Sequence, residues 1–116
     1  MKQTNPSSSS KGSSRDREQY LYLTTRGRKS GRAREIEIWF TERQGRFYVI
    51  AEYPTSHWVQ NVRADSAVQV RVGERSFGAR ARVLGEADAD LRGEIEELSR
   101  HKYGWGDGTV VELNPD

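Results

Sequence analysis

The residues best suited to chemistry in this sequence form a short basic segment, Thr24 to Gly31, which reads TTRGRKSG. Five cations fall in and just after it: Arg26, Arg28, Lys29, Arg32 and Arg34. Glycine turns expose backbone N–H groups, and guanidinium and ammonium groups add charge-assisted donors, so such a loop can cradle phosphate. The same composition also suits a solvated hairpin turn whose charges protect a sheet edge. A Walker motif is excluded, because Arg28 interrupts the pattern and a strand follows.

Aromatic residues form a second group of candidates. Tyr103 and Trp105 lie in a glycine-rich loop, KYGWGDG at 102–108, and Tyr53 precedes Pro54. These rings could line a substrate pocket, or Tyr103 and Trp105 could simply fill the mouth of a barrel as core. His57 and His101 are isolated, and a lone histidine is more often an exposed or capping residue than a catalyst.

Trp58 and Asn61 stand at i and i+3 in the segment SHWVQNVRA at 56–64. This spacing puts both side chains on one face of a short helix. We expect them to border a ligand pocket, with the Asn61 amide pairing with a polar group of the ligand. The alternative is that Trp58 pins the helix to the core.

Two separated motifs resemble the deazaflavin-dependent nitroreductase family. LTTRGRKSGRAR at 23–34 is similar to the family signature L-T-T-x-G-R-K-S-G-x-P-R. HWVQNVRADSAVQVRVGERSFGARARVL at 57–84 is similar to the family stretch W-x-x-N-[LV]-[RK]-A-[DN]-P-x-[VA]-x-[VL]-x-[VI]-G. The similarity covers roughly residues 20–113.

This resemblance implies a split β-barrel related to the FMN-binding pyridoxamine-phosphate-oxidase fold, and binding of the deazaflavin coenzyme F420, with FMN as the alternative. Arg28, Lys29 and Ser30, backed by Arg34, would hold the phosphate and the acidic tail of the cofactor. Strand positions around Ile38 and Ala51 would offer backbone groups to the ring, beside Trp58 and Asn61. The substrate pocket would be formed by Tyr53, Tyr103 and Trp105. The implied reaction is hydride transfer to a quinone, a nitro-aromatic compound or a similar acceptor, and no side chain is identified as catalytic.

The sequence departs from the family pattern at three places. Ala33 and Glu37 stand where relatives usually have proline, and Glu52 begins a segment that replaces a Lys-Gly-Gly turn. Glu37 and Glu52 would bring negative charge close to the expected ring pocket unless their side chains point away.

The elements that must position these residues are predicted from periodicity. Alternation of apolar and polar residues predicts strands at 20–25, 34–40, 46–52, 68–72 and 77–83, and the short β-branched run TVVEL predicts a sixth at 109–113. Gln44-Gly45 predicts a hairpin between the second and third strands. A short amphipathic helix is predicted at 56–63 and a longer one at 87–101. The fold class is therefore mainly β (α+β), a six-stranded antiparallel split β-barrel with a connector helix and one longer helix.

Composition limits the remaining possibilities. Residues 1–17 are Ser-rich and nearly free of aliphatic side chains, so we expect a flexible tail ahead of one domain at 18–116. The sequence contains no cysteine, which rules out disulfides and thiolate metal sites. We expect a cytoplasmic protein with no membrane span, no metal and small-molecule partners, and a homodimer is left open.

Two other functions compete. One is a carrier that holds a hydrophobic, tetrapyrrole or flavin ligand in the barrel without catalysis. The other is a single-stranded nucleic-acid-binding barrel that stacks bases on Tyr20, Tyr22, Trp39 and Tyr48. The net charge of only +2 argues against nucleic acid.

Overall fold

The computed structural model describes residues 19–116, so the predicted tail at 1–17 lies outside the described residues. Seven strands and two α-helices make up this part of the chain. The strands are β1 Tyr20–Arg26, β2 Ala33–Trp39, β3 Thr41–Arg43, β4 Arg46–Ala51, β5 Ala67–Val72, β6 Arg75–Val83 and β7 Thr109–Pro115. The helices are α1 His57–Ala64 and α2 Ala89–Tyr103, the latter preceded by a 3-10 turn at Glu86–Asp88.

All strands belong to one antiparallel sheet in the order β2-β1-β5-β6-β7-β4-β3. The two edge strands of this order, β2 and β3, are neighbours in sequence, and only Phe40 separates them. A sheet whose opposite edges are joined by one residue must curl until those edges meet, so the sheet forms a half-barrel. The predicted split-barrel architecture is confirmed.

One pairing differs from the sequence prediction. The segment 34–40 was expected to pair with 46–52, but β2 pairs along its whole length with β1, and only the three residues of β3 pair with β4. The chain bends at Phe40, so the predicted second strand becomes two and the count rises from six to seven. The predicted turn is present, with φ of 54° at Gln44 and 80° at Gly45. Positive φ at both positions is typical of the tight turn that joins hairpin strands.

Two apolar layers follow from alternation along the strands. Phe47 and Val49 of β4 face the barrel interior with residues such as Leu21, Val70 and Leu113. Tyr48 and Ile50, the intervening residues, pack with Val110 and with Ile95 of α2 on the outer face. Strand β4 is therefore buried on both faces, which explains why it reads as a nearly continuous apolar run.

Candidate functional site

The basic turn between β1 and β2 is held in shape by its own hydrogen bonds. Gly27 N–H donates to Arg32 O (2.7 Å), Gly31 N–H to Gly27 O (2.8 Å), and Arg32 N–H to Ser30 Oγ (3.1 Å). The side chains of Arg28, Lys29 and Ser30 are exposed. The turn therefore presents its cations to solvent from an ordered backbone.

Ion pairing within residues 19–116 leaves most of this charge unneutralised. Arg26 lies 3.8 Å from Asp65, the one carboxylate that pairs with a cation of the turn. The remaining four cations have no carboxylate of the described residues within 4.0 Å: Arg28, Lys29, Arg32 and Arg34. A cluster of unpaired cations on an ordered loop favours an anionic ligand.

Asn61 of helix α1 contacts this turn directly. Its Oδ1 accepts from the backbone N–H of Arg28 (3.2 Å) and from Arg28 Nη1 (2.9 Å), and its Nδ2 donates to Thr25 Oγ1 (3.2 Å). Trp58 of the same helix is half-buried against the barrel interior. The helix therefore packs the turn against the barrel, and the expected contacts of Trp58 and Asn61 with a ring stay predictions.

A cavity of about 240 Å³ opens at the other end of β2. It lies beside the short strand β3, which pairs only with residues 46–48 of β4, and its lining includes Ile50 beyond the end of that pairing. Its lining comes from β1, β2, the bend, β3, β4, α2 and the glycine-rich loop: Tyr20, Glu37, Ile38, Trp39, Phe40, Thr41, Tyr48, Ile50, Ser99 and Trp105.

The aromatic wall of this cavity is built around Trp39. Its indole stacks on Tyr103 with ring centroids 4.5 Å apart and planes 3° from parallel, and Trp105 meets it edge-on at 6.5 Å. The Tyr103 hydroxyl accepts from Phe40 N–H (3.1 Å) and lies 2.7 Å from Gln19 O and 2.8 Å from Phe40 O, the two carbonyls to which it can donate. Burial raises the pKa of Tyr103, which keeps the phenol protonated. Tyr103 therefore fixes the bend at Phe40 as well as supporting Trp39.

The polar side chains that line the cavity differ in whether they have hydrogen-bond partners within the protein. Ser99 Oγ donates to Trp105 O, and Tyr48 OH donates to Glu112 Oε2 (3.0 Å). Thr41 is only 6% exposed, and its Oγ1 has no hydrogen-bond partner among the described residues. An unpartnered buried hydroxyl is costly, so Thr41 is suited to a ligand oxygen.

The acids that depart from the family pattern have defined positions. Glu37 Oε2 accepts from Tyr22 OH (3.0 Å), and this hydrogen bond is the main reason why the pKa of Tyr22 is raised. Glu52 is exposed. The carboxylate of Glu37, although this residue lines the cavity, is thus bound to the neighbouring strand.

The site residues expected from sequence fall into three groups. The cavity includes Ile38 and Trp105, with Tyr103 directly behind Trp39. The basic turn includes Arg28, Lys29 and Ser30, and Arg34 is the second residue of β2, which follows the turn. Ala51 is buried at the end of β4, and Tyr53 is 60% exposed and lies outside the cavity lining, so their roles stay predictions.

Most cavity residues were not assigned to the cofactor or substrate site from sequence, among them Tyr20, Trp39, Thr41 and Ser99. A signal existed for Trp39, which stands on the polar face of an alternating strand, where a large aromatic side chain is unusual. Tyr20 pairs with Trp39 across β1 and β2, which only the register shows. Thr41 and Ser99 carried no sequence signal.

Metal binding requires clustered ligand side chains, and a helix that crosses a membrane must be long and apolar. Within residues 19–116, no cluster of three or more His, Cys, Asp or Glu side chains could hold a metal ion. Neither helix of this part of the chain has the length and apolar composition needed to span a bilayer.

Comparisons with known proteins bear on the family and the fold of this chain. Residues 2–105 match the family described as F420H(2)-dependent quinone reductase. No curated protein matches the sequence. Among solved structures, the chain is similar to the F420-H2 dependent reductase FDR-A, with 24% identity and a TM-score of 0.68 over 83% of this chain and 94% of that one.

Two further solved structures share the fold at lower identity. One is HutZ, the haem storage protein from Vibrio cholerae, with 16% identity and a TM-score of 0.74 over 88% of this chain and 84% of that one. The other is a proposed pyridoxamine 5'-phosphate oxidase from Listeria innocua, with 15% identity and a TM-score of 0.71 over 88% of this chain and 87% of that one. At these identities the similarity establishes the fold and not the ligand.

Proposed function

We propose that this chain, which belongs to the F420H(2)-dependent quinone reductase family, holds the anionic part of coenzyme F420 at the basic turn and reduces a planar acceptor in the cavity beside Trp39. Membership of the family makes the protein an F420-dependent reductase. The positions of the cofactor and of the acceptor, and the quinone or nitro-aromatic nature of the acceptor, are the proposal.

One observation carries this proposal: strand β2 connects the two parts of the site. Arg34 is the second residue of β2, next to the turn, and Trp39 is its last residue. Five residues of extended strand span about 17 Å. An elongated cofactor with a charged tail and a planar ring can therefore follow β2 from the basic turn to the cavity.

The residues of the turn fit an anionic group. Four cations lack carboxylate partners among residues 19–116, and the backbone N–H groups of Lys29 and Ser30 make no hydrogen bond there. Unpaired N–H groups and cations on one ordered loop are the donor set that phosphate and carboxylate prefer.

The residues of the cavity fit a planar acceptor. Trp39 and Trp105 offer ring surfaces, and Ile38 and Ile50 offer aliphatic ones. The unpartnered Thr41 hydroxyl can donate to a carbonyl or nitro oxygen of the acceptor. Both acceptor classes, quinones and nitro-aromatics, are flat and carry such oxygens.

Reduced F420, when bound, supplies the hydride. The chain contributes position and exclusion of water: β2 orients the two reactants, and the aromatic wall shields them. The proton that completes reduction comes from solvent or from a hydroxyl at the cavity. Tyr103 is unsuited to this role, because its hydroxyl is engaged by Phe40 and Gln19 and its pKa is raised by burial.

The test is a titration of F420 into the protein, followed by ligand or indole fluorescence. An Arg28→Ala, Lys29→Ala double variant should bind about 10-fold to 100-fold more weakly than wild type, since charge-assisted hydrogen bonds contribute roughly 1.5–3 kcal/mol. The difference should shrink as salt rises. An Arg75→Ala, Arg80→Ala variant removes the same charge from β6 and should bind as wild type. Equal affinity in both double variants would move the anion site elsewhere.

A carrier of a haem or flavin ligand is the second candidate, and the similarity to a haem storage protein favours testing it. The absorbance spectrum of the purified protein distinguishes the two. A tightly bound tetrapyrrole that F420 does not displace would support the carrier, whereas turnover of F420H2 with a quinone supports the reductase.

A further inference from the structure

The side-chain amide of Asn61 is almost completely used within the protein. Asn61 is 5% exposed, its Oδ1 accepts two hydrogen bonds from Arg28, and its Nδ2 donates to Thr25. An asparagine amide offers two acceptor positions and two donor hydrogens. Only one N–H is left, so Asn61 has little capacity to bind a cofactor ring.

The contacts of Asn61 also determine which part of the Arg28 guanidinium is free. Arg28 Nη1 donates to Asn61 Oδ1 (2.9 Å) and to His57 O (3.4 Å), which uses both of its hydrogens. The Nε and Nη2 hydrogens make no hydrogen bond with residues 19–116. Together these two atoms form an edge of the guanidinium that can bind a phosphate or carboxylate with two parallel hydrogen bonds.

We infer that Asn61 is a positioning residue that acts through Arg28: it fixes the guanidinium so that its Nε and Nη2 edge faces the anionic part of the cofactor. This inference rests on the proposed function, because it takes the basic turn as the anion site. It assigns Asn61 to the turn and not to the ring.

The burial of Thr25 and the three elements that the Asn61 amide joins explain why this arrangement would affect cofactor binding. Thr25 lies on β1 and is 2% exposed, Arg28 lies on the turn, and Asn61 lies on α1, so one amide joins three elements. Without it, the long Arg28 side chain would sample many rotamers before binding. Fixing a flexible side chain in its binding geometry raises affinity because less conformational entropy is lost when the ligand binds.

The experiment is a double-mutant cycle on the dissociation constant of F420, measured by fluorescence titration. Four proteins are compared: wild type, Arg28→Ala, Asn61→Ala and the double variant. Each single substitution should weaken binding about 10-fold, the lower end expected for a charge-assisted contact. If Asn61 acts through Arg28, the double variant should bind no more weakly than Arg28→Ala alone.

The salt dependence of binding gives a second readout that a purely structural role would not change. Wild-type affinity should fall steeply with salt. Arg28→Ala should show a flatter dependence because it removes an ionic contact, and Asn61→Ala an intermediate one because it keeps the Arg28 charge but no longer holds it in its binding geometry. Gln60→Ala is the matched control, because it removes a neighbouring amide of α1 that makes no side-chain hydrogen bond with residues 19–116. Its affinity and salt dependence should equal those of wild type.

A third variant covers the case in which Asn61→Ala does not fold, since that change leaves the Arg28 N–H without a partner. Thr25→Val keeps the side-chain volume and removes only the acceptor of Asn61 Nδ2. It should weaken F420 binding about 2-fold to 3-fold, as expected for a neutral hydrogen bond. This loss should disappear in the Arg28→Ala background.

The outcomes separate this inference from the proposed function. If Arg28→Ala weakens binding and the effects of Arg28→Ala and Asn61→Ala multiply, Asn61 contacts the cofactor directly and the inference is wrong. If Asn61→Ala folds and binds as wild type while Arg28→Ala does not, the inference is also wrong. If Arg28→Ala itself binds F420 as wild type, the anion site is elsewhere, and the proposed function at the turn fails with the inference.

Discussion

The Trp39 side chain is partly exposed to solvent and is held in place by two neighbouring aromatic rings. Its side chain remains 39% exposed although one ring stacks on it and another meets it edge-on. A rigid, partly open indole at the edge of a cavity is a platform on which a flat ligand can stack. We therefore expect the acceptor to stack on Trp39 more than on any other residue of the wall.

Trp39→Leu should raise the KM for a quinone acceptor about 5-fold to 10-fold, because aromatic stacking contributes roughly 0.5–1.5 kcal/mol beyond area burial. The affinity for F420 should change much less, because its anionic part is held at the basic turn, and titration of both ligands checks this. A variant that loses F420 binding and acceptor binding equally would contradict the separation of the two parts of the site.

Glu112 is a second residue whose position decides its properties. This carboxylate is 4% exposed and accepts from Tyr48 OH, Arg46 and Arg82. Burial, and then the hydrogen bond to Glu112, raises the pKa of Tyr48 above its ordinary 10.0. The unfolded chain therefore loses this proton at a lower pH than the folded protein does.

Tyr48 should accordingly stabilise the fold fully below pH 10.0 and progressively less as the pH rises through the folded-state pKa. Tyr48→Phe lacks this titration, so its loss of stability above that pH should be smaller than in wild type. Urea unfolding midpoints at neutral and alkaline pH measure the difference. A steeper alkaline loss in Tyr48→Phe than in wild type would show that the sign is wrong.

At the scale of elements, the glycine-rich loop after α2 is positioned by close approach. A Cβ on Gly106 would collide with the backbone carbonyl oxygen of Glu96, whereas a Cβ on Gly93, within α2 itself, would meet nothing within 4 Å. Loop and helix therefore touch backbone to backbone at Gly106. This contact sets the place of Trp105 in the cavity.

Gly106→Ala should destabilise the protein and disturb the cavity, because a backbone atom must move to admit the methyl group. Gly93→Ala should stabilise it by about 0.5–1 kcal/mol, since alanine loses less entropy than glycine in a helix. Thermal unfolding of the two variants measures both effects. Similar melting temperatures for the pair would contradict the close packing of the loop.

At the scale of the molecule, Phe40 decides how the sheet closes. It connects the two edge strands, is 2% exposed, and contacts Phe47 at 5.8 Å between ring centroids. Lys102 and Tyr103 of α2 both bind its carbonyl oxygen. One residue thus joins both sheet edges to the long helix.

Phe40→Ala should lower the free energy of unfolding by about 3–5 kcal/mol, the usual cost of deleting a buried phenylalanine ring. Phe40→Leu, which keeps most of the apolar volume, should cost much less. Chemical denaturation compares the two. If Phe40→Ala proved nearly as stable as wild type, the bend would not be what closes the half-barrel.

The sequence by itself determined six of the seven strands, both helices, the architecture and the basic turn. These features have local causes: alternation places β1 and β5 in the sheet, and the charge of the turn is written in consecutive residues. It also identified the family, because two motifs recur in the correct order. The tight turn at Gln44-Gly45 followed from residue type alone.

Only the tertiary structure decided the pairing of β2, the place of the cavity and the partners of Asn61. The bend at Phe40 depends on the curl of the whole sheet, which no local pattern records. Trp39 and Tyr103 are 64 residues apart and meet because α2 packs on the outer face of the sheet. Asn61 and Arg28 are separated by 33 positions, and their hydrogen bonds exist because α1 packs beside β1. Contacts between residues this far apart arise from the packing of elements, so the sequence could name these side chains but not what they touch.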